Sequence, residues 1–89
     1  MTHHIKCQPP WFADVAAGRK RFEIRRNDRG FAVGDVLVLA EWVNDRATGR
    51  EVTAEVTYVL DPTAHGPAMR LGMIAGFVVL GIDLTGESL

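Results

Sequence analysis

The chain has 89 residues, a mass of 9.8 kDa and a formal net charge of −1. That is enough for one small domain and excludes a second core. A hydrophobic fraction of 47% is too high for a disordered chain. A charge this close to neutral excludes a whole-molecule field that would gather polyanions, so any such role needs a local patch. The lone Cys7 excludes an internal disulfide framework and a cysteine zinc cluster, and it fits a reducing, cytoplasmic setting. Met1–Lys6 lacks an apolar signal region. No apolar run reaches the roughly 18 residues of a membrane-spanning helix.

In chain order, His3 to Gln8 reads as a short first strand. Pro9-Pro10 then opens a helix over Pro10 to Ala17, with Phe12, Val15 and Ala16 on one face and Gly18 as its terminator. Arg21 to Asn27 alternates, with Phe22 and Ile24 on one side and Arg21, Glu23, Arg25 and Asn27 on the other. This is the pattern of a half-buried strand with its apolar side chains inward and a charged outer face. Asp28-Arg29-Gly30 and Val33-Gly34-Asp35 are turns. Val36 to Trp42 is an apolar strand expected to be buried on both faces, and Asn44 to Arg50 reads as a polar hairpin loop. Glu51 to Leu60 alternates most cleanly, which places Val52, Ala54, Val56, Tyr58 and Leu60 together. Asp61 to Ala75 is a long loop, and Gly76 to Leu84 is the last core strand, in which Gly81 suits a bulge or a barrel corner. Four or five short strands and one early helix predict a single domain over residues 1–89, a small and mostly antiparallel β-barrel whose closure would hide its strand edges.

Chemistry points to one segment. Six of the ten basic residues lie between Arg19 and Arg29, namely Arg19, Lys20, Arg21, Arg25, Arg26 and Arg29, against only Glu23 and Asp28. Residues two apart on a strand project about 7 Å apart, so Glu23 stands between Arg21 and Arg25. There it can hold a guanidinium fork in an orientation suited to a phosphate or a base edge. The alternative is a solvated face whose charges pair with one another, with Lys20 meeting the helix C-terminus. Of the aromatic residues, Tyr58 and Phe77 fall in alternating strands and read as core. Trp11 and Trp42 are freer to keep an edge in water and stack on a base. His3, His4 and His65 lack metal-ligand spacing. No nucleophile triad, phosphate-cradling glycine loop or cofactor motif is present, so neither a metal nor a cofactor is expected.

These residues also carry a resemblance. Gly18-Arg19-Lys20-Arg21-Phe22-Glu23-Ile24-Arg25 resembles the G-x-K-x-x-E-x-R signature of ASCH domains, which belong to the PUA-like superfamily. Within that group the whole chain is similar to the DUF3850 branch. The matching stretches are His3-His4-Ile5-Lys6, Phe22 through Arg29, Val33-Gly34-Asp35, Thr48 through Glu51, and Gly76 through Leu80. The resemblance implies a PUA-like β-barrel with a charged cleft that binds RNA. That cleft would be lined by Lys20, Glu23 and Arg25, with Asn27, Asp28 and Arg29 beside them and His3 and Lys6 joining from the first strand; the density of the basic cluster adds Arg26, which with Lys20 and Arg25 would contact a phosphate or a base edge.

Some ASCH relatives hydrolyse the amide of acetylated cytidine using a lysine and a threonine in a K-x-x-T-x-R form of the motif. Here Lys20 is kept, but Glu23 stands at the threonine position. A carboxylate does not replace a hydroxyl nucleophile in acyl transfer. It can still act as a general base towards water, with Lys20 stabilising an oxyanion. Metal-dependent ribonuclease activity also occurs in the wider group. The leading expectation is therefore a binding module for RNA or a nucleotide-like ligand, with no membrane partner. One alternative is a hydrolase of a modified nucleoside or RNA with Lys20 and Glu23 as catalytic residues. The second is a protein-interaction adaptor, for instance a homodimer through a strand edge or Trp42.

Overall fold

Alternating apolar residues in the middle and at the end of the chain build the inner face of a curled sheet, and the rest of the fold follows from how that sheet is ordered. The computed structural model describes residues 1–62 and 76–85. Its elements are β1 (Thr2–Cys7), α1 (Trp11–Ala16), β2 (Phe22–Arg26), β3 (Val36–Val43), β4 (Arg46–Leu60) and β5 (Phe77–Leu84). The strands form a five-stranded sheet in the order β1-β3-β4-β5-β2. β1 runs parallel to β3, and every other pairing is antiparallel. The sheet curls into a half-barrel. Its concave face holds Ile5 and Cys7 from β1, Leu37 and Leu39 from β3, Val52, Ala54 and Val56 from β4, and Val78, Leu80 and Ile82 from β5. Phe12 and Val15 of α1 complete this core, as their spacing predicts. Gly18, at φ +78°, ends the helix in a backbone conformation that costs other residues energy.

Three expectations are corrected. Asn44 to Arg50 is not all loop: β4 begins at Arg46 and meets β3, which ends at Val43, at a two-residue turn, Asn44-Asp45, both at positive φ (51° and 62°). Such a turn matches the twist of a hairpin and favours these two residue types. Tyr58 is 64% exposed rather than in the core, because the β4–β5 register shifts between Val56 and Tyr58 and turns the remaining residues over. Gly81 lies at that shift, as its sequence context suggests. A Cβ there would come within 3.0 Å of the Thr57 Oγ1 and 3.2 Å of the Tyr58 Cβ.

The third correction concerns β2, whose two faces are reversed. Glu23 pairs with Leu80 and Arg25 with Val78, so both charged residues share the concave face with two fully buried apolar ones. Phe22 and Ile24 instead lie on the convex face, 43% and 54% exposed. Bonds from the Ile82 amide to the Arg21 carbonyl (3.0 Å) and from the Asn27 amide to the Gly76 carbonyl (2.7 Å) hold this register at its two ends. A one-residue slip would exchange the faces. Of the expected Asp61–Ala75 loop, residues 63–75 lie outside the described residues, as does His65.

His3 belongs to the core. It is buried, its ring lies 4.7 Å from that of Phe31, and its Nε2 donates to Asp35 Oδ2 at 2.8 Å. The Ala32 amide donates to the same oxygen at 3.1 Å. These two bonds, the His3 one foremost, hold the Asp35 carboxyl down at about 2, from an ordinary 3.8. A carboxyl lowered by folding contributes stability that is present above its unfolded value and lost as pH falls through its folded one. The urea midpoint should therefore drop between pH 4 and pH 2, and Asp35→Asn should flatten the fall in that window. Parallel profiles for the two proteins would show that this carboxyl is not held down by folding.

Candidate functional site

The sheet order leaves β1 and β2 as its two edges, facing each other across the open side of the half-barrel. Side chains cross where backbone ladders do not. The Arg25 guanidinium donates to the Lys6 carbonyl at 3.1 Å, and Arg29 donates to the His4 carbonyl at 2.7 Å. On the opposite edge, Lys20 Nζ donates to the Phe22 carbonyl at 2.9 Å. Cations thus cover edge carbonyls that would otherwise recruit another strand. Because β2 turns Glu23 and Arg25 inward, the core stops short of this edge. A cleft of about 510 Å³ opens there, lined by Lys6, Cys7, Trp11, Lys20, Glu23 and Arg25 among others.

Glu23 forms its floor. It is 4% exposed, and a buried carboxylate is tolerable only when paired. Its Oε1 accepts from Lys20 Nζ at 2.9 Å, whereas Arg25 Nη1 stands 3.9 Å from Oε2. That second contact exceeds hydrogen-bonding distance, which leaves an acceptor oxygen of Glu23 for another donor. The end of α1 places Lys20: the amides of Arg19 and Lys20 both bond the Asp14 carbonyl at 3.0 Å, folding the chain back toward the cleft. Trp11, in the first turn of α1, forms one wall and is 52% exposed. Three cations lining the cleft outnumber one carboxylate, so the local field favours an anion although the chain is nearly neutral.

The expected site residues separate into groups. Lys6, Lys20, Glu23 and Arg25 come together in the cleft. Arg26, Asp28 and Arg29 surround a smaller adjoining pocket of about 180 Å³, which shares Ile24 and Arg25 with the first. Asn27 serves the turn instead, with its Oδ1 accepting from the Phe31 amide at 3.3 Å. His3 is engaged with Asp35. Arg19 and Arg21 turn away from the cleft, to Asp14 and to the Gly18 carbonyl. The Lys6 ammonium sits 4.0 Å from the centre of the Trp42 ring, a cation–π contact beside a neighbouring hollow that both residues line, while Trp42 itself does not line the cleft.

Two residues at or near the site carry no motif signal. Glu41 is buried within an apolar strand, accepts from Thr48 Oγ1 at 2.9 Å and lies 3.5 Å from Arg50 Nη1. A single acid inside an apolar run, with a threonine and an arginine just across the hairpin, was the available clue. Cys7 is buried at the cleft wall. Among the described residues no three His, Cys, Asp or Glu side chains converge so as to hold a metal ion, and no helix is long and apolar enough to cross a membrane.

Burial pushes the Cys7 thiol up to about 11; Glu23 adds to the rise, while Lys20 and Arg25 oppose it. Only the thiolate is an effective nucleophile, and at pH 8 such a thiol is about one part in a thousand ionised. Iodoacetamide should therefore modify the native protein far more slowly than the urea-unfolded protein. Equal rates would contradict a buried, un-ionised Cys7.

The chain is similar to an uncharacterised 12.9 kDa protein from the GpA 3′ region of Escherichia phage P2, with 44% identity over 59 residues. That match takes in 66% of this chain and 54% of the phage protein, so the chain spans about half the length of the curated relative it matches. In architecture it is similar to the crystal structure of the hypothetical protein PH0355, with a TM-score of 0.61 and 16% identity over 96% of this chain and 100% of that one. Likeness at that identity speaks to the fold alone. The model of the domain of unknown function DUF3850 matches residues 2–82. The chain belongs to the DUF3850 family.

Proposed function

We propose that the protein is a cytoplasmic binding module for RNA or a nucleotide-like ligand, of the ASCH and PUA-like type, and that the cleft between β1 and β2 is its binding site. The observation that carries this reading is a buried carboxylate with an oxygen to spare, set between two cations beneath an exposed tryptophan. Each part suits one part of a nucleotide. The Trp11 indole offers a face on which a base stacks. Lys6 and the remaining donors of Arg25 suit a phosphate. Glu23 Oε2 accepts a hydrogen bond from an exocyclic amine on the base. The volume falls in the range of about 300–1,000 Å³ typical of small-ligand sites.

One observation favours a second reading. The Lys20 ammonium and the Glu23 carboxylate stand 2.9 Å apart in the same cleft, a pairing that suits general-base hydrolysis of a modified nucleoside. Glu23 would take a proton from water as it adds to an amide carbonyl, Lys20 would stabilise the oxyanion, and the proton would pass to the departing amine. Acetate release from acetylated cytidine that disappears in Glu23→Gln supports this reading. Release that is absent, or unaffected by the substitution, rejects it.

Binding is tested by fluorescence-anisotropy titration with labelled single-stranded RNA over a salt series. Trp11→Ala and Lys6→Ala are the informative variants, because both side chains are exposed and neither leaves a buried charge unpaired. Loss of a stacked base costs about 1–3 kcal/mol, so Trp11→Ala should weaken binding by roughly 5- to 150-fold. Lys6→Ala should lower the dependence of log K on log salt by about 0.7, the share of one phosphate contact on a single strand. Wild-type affinity in both variants, or no binding at low salt, would overturn the proposal.

A further inference from the structure

The cleft does not end at Arg25. On its far side lies the pocket of about 180 Å³, walled by Arg25, Arg26, Arg29, Phe31 and Phe77, with Asp28 at its rim. Ile24 and Arg25 line both spaces, so the two lie side by side along β2. Their characters differ. The larger has a stacking surface and a carboxylate; the smaller has three guanidinium groups around a space too small for a base beside its phosphate. None of the three arginines is fully used. Arg25 gives Nη1 to the Lys6 carbonyl, Arg29 gives Nη1 to the His4 carbonyl and lies 4.0 Å from Asp28, and Arg26 stacks its guanidinium 5.1 Å from the Phe77 ring centre. A guanidinium has five N–H donors, so each retains donors for an oxyanion. A stacked guanidinium such as that of Arg26 is held in place while its edge stays free.

Resting on the reading of the larger cleft as a nucleotide site, we infer that the smaller pocket is a phosphate subsite and that the two together take one nucleotide flanked by phosphates on both sides. Arg25, shared between the spaces, contacts the phosphate nearest the base. Arg26 and Arg29 take the other. This is the pattern of a nucleotide within a chain, not of a free mononucleotide, and it explains why the basic cluster continues past Arg25 when the base-sized cleft does not.

The test compares four ligands by calorimetric titration: cytidine 5′-monophosphate, cytidine 3′-monophosphate, cytidine 3′,5′-bisphosphate and cytidine 5′-diphosphate. The bisphosphate is expected to bind at least tenfold more tightly than either monophosphate and more tightly than the diphosphate, which carries the same number of phosphates on one side. Arg26→Ala, which breaks no ion pair among the described residues, should bring the ratio of bisphosphate to monophosphate affinity to within about twofold of one. Monophosphate binding with no gain from the second phosphate would overturn the subsite while leaving the nucleotide reading of the larger cleft intact. A diphosphate that binds as tightly as the bisphosphate, or a ratio unmoved by Arg26→Ala, would also overturn it. No binding of any of the four would overturn both readings.

Discussion

Everything distinctive about this molecule follows from a sheet whose two edge strands face each other without pairing. A five-stranded sheet of this length curls but leaves a gap between β1 and β2, and edge carbonyls there need donors. Arg25, Arg29 and Lys20 provide them from their side chains. A bridge built from guanidinium and ammonium groups leaves space between the strands and leaves N–H donors unspent. The means by which the half-barrel is held together is therefore also what makes its seam a cationic cleft.

The placement of Glu23 is the second half of the same arrangement. The other strands give the concave face mainly apolar residues, with His3 of β1 and Glu41 of β3 as buried polar members, whereas the inward face of β2 is a carboxylate and an arginine. An unpaired carboxylate would not be tolerated at that depth, and the Lys20 ammonium at 2.9 Å makes it tolerable. A pair of this kind contributes little net stability compared with apolar residues of the same volume. Its place at the floor of an open cleft is the feature on which the proposed binding role rests.

Much of this was legible in the residues and some was not, for definable reasons. The helix was readable from Phe12, Val15 and Gly18, and the long strand from the alternation of Val52, Ala54 and Val56, because each pattern has a period that only one element satisfies. The basic cluster was readable as a candidate site from its density, and the G-x-K-x-x-E-x-R spacing picked out Lys20, Glu23 and Arg25, which line one cleft. The facing of β2 was not readable. Alternation gives a strand's period but not which side is inward, and Phe22 and Ile24 made the wrong side look right. The choice is made by register against β5 and by ion pairing, both of them long-range. Tyr58 was misplaced for a related reason: a bulge between Val56 and Tyr58 changes the phase of the alternation without any local mark except Gly81 on the neighbouring strand. The motif alone groups His3 with the cleft, whereas its partner Asp35 lies 32 residues away in the sequence.

On the proposed reading, ligand enters the seam between β1 and β2 and meets Arg25 and Trp11 there. The most direct measurement is a ¹H–¹⁵N NMR titration with cytidine 5′-monophosphate, following the side-chain Nε–H of Arg25 and the indole N–H of Trp11. These two signals are expected to shift together, saturate at one affinity, and move further than any backbone amide on the convex face around Tyr58 and Val79. Shifts confined to that convex face, or none at saturating nucleotide, would contradict this reading.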